Sequence, residues 1–120
     1  MQCDLHKSPE EGYLYEVNPV MHEVQQCIDH LEEWASPTQK GLNILNIPGS
    51  CAIYKDPLGV VLVAGAWNYP VNLTLSPLAG AIAAGNCVMV KVPSSEYSQK
   101  TAHGMAEMIH KYLDTDCIRV

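Results

Sequence analysis

A chain of 120 residues, 48% of them hydrophobic and 17% charged, has the composition of one ordinary folded domain rather than of a disordered or fibrous segment. Its formal charge of −6, from 13 acidic against 7 basic side chains, argues against a nucleic-acid partner, because phosphate-backbone binding rests on clustered Lys and Arg. Five cysteines (Cys3, Cys27, Cys51, Cys87 and Cys117) are odd in number, scattered and without a Cys-x-x-Cys pair. That pattern speaks against a disulfide framework or a zinc site and for a reducing, cytoplasmic compartment.

In chain order, the stretch from Met1 to Lys7 lacks the basic and apolar regions of a secretory signal. Val17, Val20, Met21, Val24, Ile28, Leu31 and Ala35 recur at helical spacing with polar residues between them, which predicts an amphipathic helix ending near Ala35-Ser36-Pro37. Asn18 suits its N-cap and Pro19 its first helical position, so residues 8 to 17 are expected to form a separate turn or helix. Residues 1–37 are thus a helical N-terminal part. Leu42–Asn46 and Cys51–Lys55 flank Pro48-Gly49-Ser50 and read as two short strands about a turn.

Residues 57 to 90 contain no charged side chain. A membrane-spanning helix needs roughly 20 consecutive apolar residues, and Trp67 to Asn72 interrupts this run with Asn, Tyr and Pro. The run reads better as elements buried on both sides, as in a parallel sheet covered by helices. Val60–Val63 is a buried strand by this reading, Pro70–Gly85 a helix apolar nearly all round and kinked or restarted at Pro77, and Cys87–Val90 a second buried strand. A further helix is carried by Ala102, Met105, Ala106, Ile109, Tyr112 and Leu113, and Ile118 opens a third strand. The expected fold is α/β. Residues 59–120 form a βαβαβ part of a doubly wound parallel, Rossmann-like sheet, preceded by the N-terminal helix and the short two-strand ribbon of residues 42–55.

In Val60 to Pro70 a strand runs into a turn rich in small residues that presents Trp67, Asn68, Tyr69 and Pro70. Ligands in open α/β sheets bind at the carboxyl ends of such strands, where the Asn68 amide is placed to donate to a reacting carbonyl. Most loop asparagines, however, satisfy turn backbone, and residue type alone leaves both readings open.

The segment from Tyr54 to Val63, continuing through Trp67-Asn-Tyr-Pro-Val-Asn-Leu73 to Gly80-Ala-Ile-Ala-Ala-Gly-Asn86, closely resembles the aldehyde dehydrogenase superfamily, with its nearest likeness in the class 3, fatty aldehyde branch. The likeness extends from Asp4-Leu-His-Lys7 through Glu33-Trp34 to Lys111-Tyr-Leu-Asp114 and covers the front part of a longer family enzyme. It implies oxidation of a small-molecule aldehyde to a carboxylic acid with NAD or NADP. Asn68 matches the family asparagine whose amide binds the oxyanion formed when a cysteine thiolate attacks the aldehyde. Ala64, Gly65, Ala66 and Trp67 match the strand end lying along the cofactor, and Lys91 the lysine that hydrogen-bonds the adenosine ribose, as an ammonium with three donors can.

Family members usually place a ribose-binding glutamate three residues after that lysine, whereas this chain runs Lys91-Val-Pro-Ser-Ser-Glu96. Either the loop absorbs the extra residues and Glu96 keeps its role, or Ser94 partly replaces it. The dinucleotide fingerprint Gly-x-Gly-x-x-Gly is absent, as in the family. None of the five cysteines follows Gly-Gln, the context of the family nucleophile, so Cys87 is expected to be an inert packing thiol and the 120 residues alone to be inactive. The resemblance further implies a cytoplasmic or endoplasmic reticulum-associated homodimer, with residues 42–55 in its oligomerisation region and any membrane association lying outside this segment. A non-catalytic nucleotide-binding or dimer-forming remnant, pairing with full-length subunits, is the alternative. His103 and His110 lie two helical turns apart, roughly 10 Å, too far for one metal, and no metal site is expected.

Overall fold

The computed structural model describes residues 1–93, 96 and 98–120. The chain extends over 65 × 29 × 21 Å. A short helix α1 (Gln2–Leu5) leads to α2 (Pro9–Gly12), where the Ser8 hydroxyl accepts the Glu11 amide at 3.1 Å and Pro9 supplies the fixed φ of a first helical turn. The chain then passes without a break through a π-helical turn, Tyr13–Val17, into α3 (Asn18–Ala35). The expected N-cap at Asn18 is therefore corrected. Asn18 is itself helical, because the cap lies ten residues earlier at Ser8 and the wide turn carries the helix onward.

The far end of α3 is closed by Ser36, whose hydroxyl donates to Glu32 O at 2.7 Å, and by Lys55, whose ammonium donates to Trp34 O. Lys55 thereby ties the ribbon to the helix end. That ribbon pairs β1 (Thr38–Gln39) with β2 (Ala52–Ile53) in antiparallel register, Thr38 opposite Ile53. The strand expected at residues 42 to 46 is not formed. Ile44–Asn46 makes a 3-10 turn, started by the Asn43 side chain accepting the Leu45 amide at 3.2 Å, and the first strand lies earlier, at Thr38–Gln39.

The rest is β3 (Val60–Ala64), α4 (Asn72–Ala83), β4 (Cys87–Lys91), α5 (Gln99–Tyr112) and β5 (Ile118–Arg119). The three strands form a parallel sheet in the order β3-β4-β5, with Val61 opposite Val88, Val63 opposite Val90, and Val88 opposite Ile118. The α/β class and the βαβαβ order hold as read from sequence, and a two-strand ribbon is present with its first strand at Thr38–Gln39 instead of 42–46. Helix α4 runs unbroken through Pro77, contrary to the expected kink or restart, since proline in the second turn removes one backbone bond and leaves the Leu73 carbonyl on an exposed residue.

Val63, Val88, Val90 and Ile118 from the sheet meet Leu78 of α4 and Ile109 of α5 in one buried cluster. Only this face of the sheet is covered. On the other face Val60 is 69% exposed, Leu62 67% and Met89 57%, so the expectation of strands buried on both sides is overturned. Both crossovers put their helices on the same face, and no described element covers the second. No helix among the described residues is long and apolar enough to cross a membrane.

Cys87 and Cys117, each one residue before the Val88–Ile118 pair of β4 and β5, lie 4.6 Å apart at Cα and are joined by a disulfide. This corrects two readings, the absence of disulfides and the packing thiol at Cys87. Neighbouring parallel strands bring together two cysteines 30 residues apart, which spacing arithmetic does not register. The cysteine pattern thus gives no ground for a reducing compartment.

Candidate functional site

The carboxyl ends of β3 and β4 carry the residues singled out in the sequence. Ala64 lies opposite Lys91 in the sheet register, and the Gly65 amide donates to Lys91 O at 2.9 Å, so the small residues at the end of β3 sit directly beside the lysine at the end of β4. By alternation Ala64 and Lys91 share the open face with Leu62 and Met89. Both are exposed, while Gly65 and Ala66 are half-buried.

Gly65 is small of necessity. A Cβ built there would collide with Thr74 Oγ1 and lie 3.1 Å from Pro93 Cδ, because the first turn of α4 packs against the strand end at this point. Thr74 is fully buried, and its hydroxyl has no hydrogen-bond partner among the described residues.

Beyond Gly65 the chain turns through Trp67 and Asn68 into α4. Asn68 is exposed, and its side-chain amide makes no hydrogen bond among the described residues. Its backbone carbonyl is held by Lys7, whose ammonium donates to Asn68 O at 2.7 Å and to Glu16 Oε1 at 2.7 Å and lies 3.8 Å from the centre of the Tyr69 ring. Glu16, wholly buried, accepts the Val71 and Asn72 amides on Oε2 at 3.0 and 3.1 Å. A carboxylate thus closes the N-terminus of α4, where the free amides of a helix concentrate positive potential.

The N-terminus of α5 is treated in the same way. Asp4 Oδ2 accepts the Thr101 amide at 2.6 Å and the Thr101 hydroxyl at 2.9 Å. Partial desolvation works to raise the Asp4 pKa, but the Thr101 hydrogen bonds, with the nearby chain amine and Lys100, outweigh it and hold the carboxyl below the usual aspartate range.

Of the residues expected at the site, Ala64 and Gly65 lie beside Lys91 at the carboxyl ends of β3 and β4, and Ala66, Trp67 and Asn68 follow in the turn beyond β3. Glu96 is exposed and has no hydrogen bond or ion pair to this group among the described residues, and Ser94 lies outside the described residues. Sequence reasoning missed Asp4, Lys7, Glu16 and Thr74. Glu16 did carry a signal: it stands four residues before Val20 on the apolar stripe, where an unpaired carboxylate has no place. An apolar groove of about 490 Å³ between α3, α4 and α5, lined by Val24, Ile28, Leu75, Ile82, Met108 and Tyr112 among others, includes none of the residues at the sheet edge.

Comparison with known proteins locates this arrangement. The model of the aldehyde dehydrogenase family matches residues 15–120. Aldehyde dehydrogenase family 3 member A2 of Rattus norvegicus is 45% identical over 114 residues, covering 95% of this chain and 23% of its own length. The dimeric NADP-preferring aldehyde dehydrogenase of Canis lupus familiaris is 41% identical over 116 residues, or 97% of this chain and 25% of that protein. Among solved structures, the substrate-bound state of Staphylococcus aureus AldH superposes with a TM-score of 0.93 at 30% identity, over 99% of this chain and 26% of that one. The chain therefore spans about a quarter of the length of the relatives it matches.

Proposed function

The chain belongs to the aldehyde dehydrogenase family, and from that premise we propose that it supplies the oxyanion donor and one wall of the nucleotide cleft for NAD- or NADP-dependent oxidation of an aldehyde to a carboxylic acid. The observation that carries this reading is the Asn68 amide, exposed and without a hydrogen bond among the described residues, on a loop beyond the carboxyl end of β3 whose backbone is pinned.

The residues present suit a nucleotide. Ala64, small and exposed on the open face, leaves room for a flat ligand beside the strand end, and the Lys91 ammonium, exposed next to it, offers donors to a ribose diol or to a phosphate upon it. The helix N-termini that often bind phosphate are filled by Glu16 and Asp4, so this chain holds the cofactor by its strand ends instead. When bound, NAD or NADP supplies the hydride acceptor. Asn68 donates its amide N–H to the oxygen on which negative charge develops as a thiolate adds to the aldehyde carbon. The thiolate belongs to residues outside this chain, since none of the five cysteines lies in the family's Gly-Gln-x-Cys context. We place the working protein in the cytoplasm as a homodimer.

Asn68→Ala tests the reading. In an enzyme of the relatives' length that carries these residues, turnover should fall by roughly 10²- to 10³-fold, the usual effect of one lost oxyanion donor. Turnover close to that of the parent would refute it, and so would aldehyde-dependent reduction of NAD or NADP by the isolated 120 residues.

A second reading is favoured by the apolar side chains around the ribbon, with Ile44 78% exposed, Leu45 86% and Tyr54 73%. Here the chain is a non-catalytic partner that docks on full-length subunits through residues 42–55. Co-purification with a full-length relative, lost on Leu45→Asp, would distinguish it.

A further inference from the structure

We infer that Lys7 and Glu16 are positioning residues for Asn68, clamping from the N-terminal segment the loop that aims its amide. The inference rests on the proposed role of Asn68.

A fully buried carboxylate is costly unless it is paired and hydrogen-bonded. Glu16 meets the first condition with Lys7 on one oxygen and the second by engaging the loop, whose Val71 and Asn72 amides it accepts on the other. Lys7 extends the grip to the Asn68 carbonyl and the Tyr69 ring. The Asn72 side chain returns the contact, donating to Tyr15 O at 3.1 Å. Between Asn68 and Asn72, Pro70 alone among the described residues has no hydrogen bond or ring contact with the N-terminal segment, and it has no N–H to offer and is itself buried.

All of these contacts take backbone groups, one ring and one flanking amide, and none takes the Asn68 side chain. The clamp therefore sets the peptide plane that follows Asn68 and those at Val71 and Asn72, while leaving the Asn68 amide for a ligand. Glu16 reaches the loop from the π-helical turn, in which the Asn18 amide bonds to Tyr13 O, and such turns recur at functional sites. An oxyanion donor is effective only when aimed in advance, and a displacement of about 1 Å costs on the order of 10² in rate.

The experiment is a double-mutant cycle in an enzyme of the relatives' length carrying these 120 residues, with Lys7→Met, Asn68→Ala and the pair. Lys7→Met should lower kcat by roughly 10²-fold while the KM for the nucleotide changes by less than about threefold. In the Asn68→Ala background the same substitution should cost less than about threefold more, because it acts through a group already gone. Full additivity would overturn the inference, since a clamp that merely keeps the protein folded loses activity equally in both backgrounds. It also fails if Lys7→Met is close to wild type while Asn68→Ala is impaired. An unimpaired Asn68→Ala overturns the oxyanion reading instead, and this inference with it.

Discussion

The Glu16 carboxylate accepts the Val71 amide at 3.0 Å across 55 residues of sequence. The contact joins the π-helical turn that leads into α3 to the N-terminus of α4, the helix that follows β3. It is a join of low tolerance, because its acceptor is wholly buried and its cationic partner Lys7 is 11% exposed.

Glu16→Leu removes one member of a buried pair and leaves the Lys7 charge and two helix amides unsatisfied. The expected loss of folding stability is about 3–5 kcal/mol, with Glu16→Gln milder because its oxygen can still accept an amide. Chemical denaturation measures both. An unfolding midpoint for Glu16→Leu equal to that of the parent would show that water satisfies these groups.

Gly65→Ala introduces a methyl into a space already filled by Thr74 and Pro93. Overpacking of this kind typically destabilises by about 1–3 kcal/mol. Thr74→Ala removes the hydroxyl oxygen that the added methyl would strike, so the double variant should recover part of the loss. No recovery in thermal unfolding would place the strain elsewhere.

Asp4 makes stability depend on pH in a defined direction. Its pKa is lowered in the folded chain, so its contribution is complete above the ordinary aspartate range and disappears as the pH falls through that range to the lower folded value. Asp4→Asn should therefore unfold more easily than the parent at neutral pH, and the gap should close in acid. A gap that stays constant over the acid range would mean that the carboxylate charge is not what holds Thr101.

Leu62 and Met89 stand opposite each other on the uncovered face of the sheet. Contiguous exposed apolar surface recruits other chains, and the isolated 120 residues should associate in solution. Leu62→Glu with Met89→Lys places opposite charges at this cross-strand pair, and surface changes of this type usually alter stability by no more than about 0.5 kcal/mol. Sedimentation should show the mass falling toward a single chain. A parent that is already monomeric would contradict this expectation.

What the sequence made legible depended on the range of the interaction. The amphipathic period from Val17 to Ala35 and the apolar runs at Val60–Val63 and Cys87–Val90 are local signals, and their elements formed where expected. The loop of Trp67 to Pro70 was legible through its family resemblance, since residue type alone leaves the role of Asn68 open. Partners distant in sequence were not: the Lys7–Glu16–Asn68 contacts and the Cys87–Cys117 bond exist only once the strands and helices are in register. The burial of the sheet was overestimated, since an uncharged run is compatible with one covered face as well as with two. Thr38–Gln39 was missed because a polar pair carries no β pattern, and its pairing comes from Ala52–Ile53.

The wide turn at Tyr13–Val17 bears on how this segment can change length over generations. In a regular helix each inserted or deleted residue rotates everything beyond it by about 100°. Because the Asn18 amide reaches back five residues to Tyr13, the turn already holds one residue more than an α-helical ring and passes no rotation on. A single deletion here closes the turn to the ordinary ring and leaves the Ser8 cap in phase with the stripe from Val20 to Leu31. A second deletion finds no such slack and swings the cap, with Lys7 before it, to another side of the helix. Descendants of this sequence should therefore differ here by one residue or none.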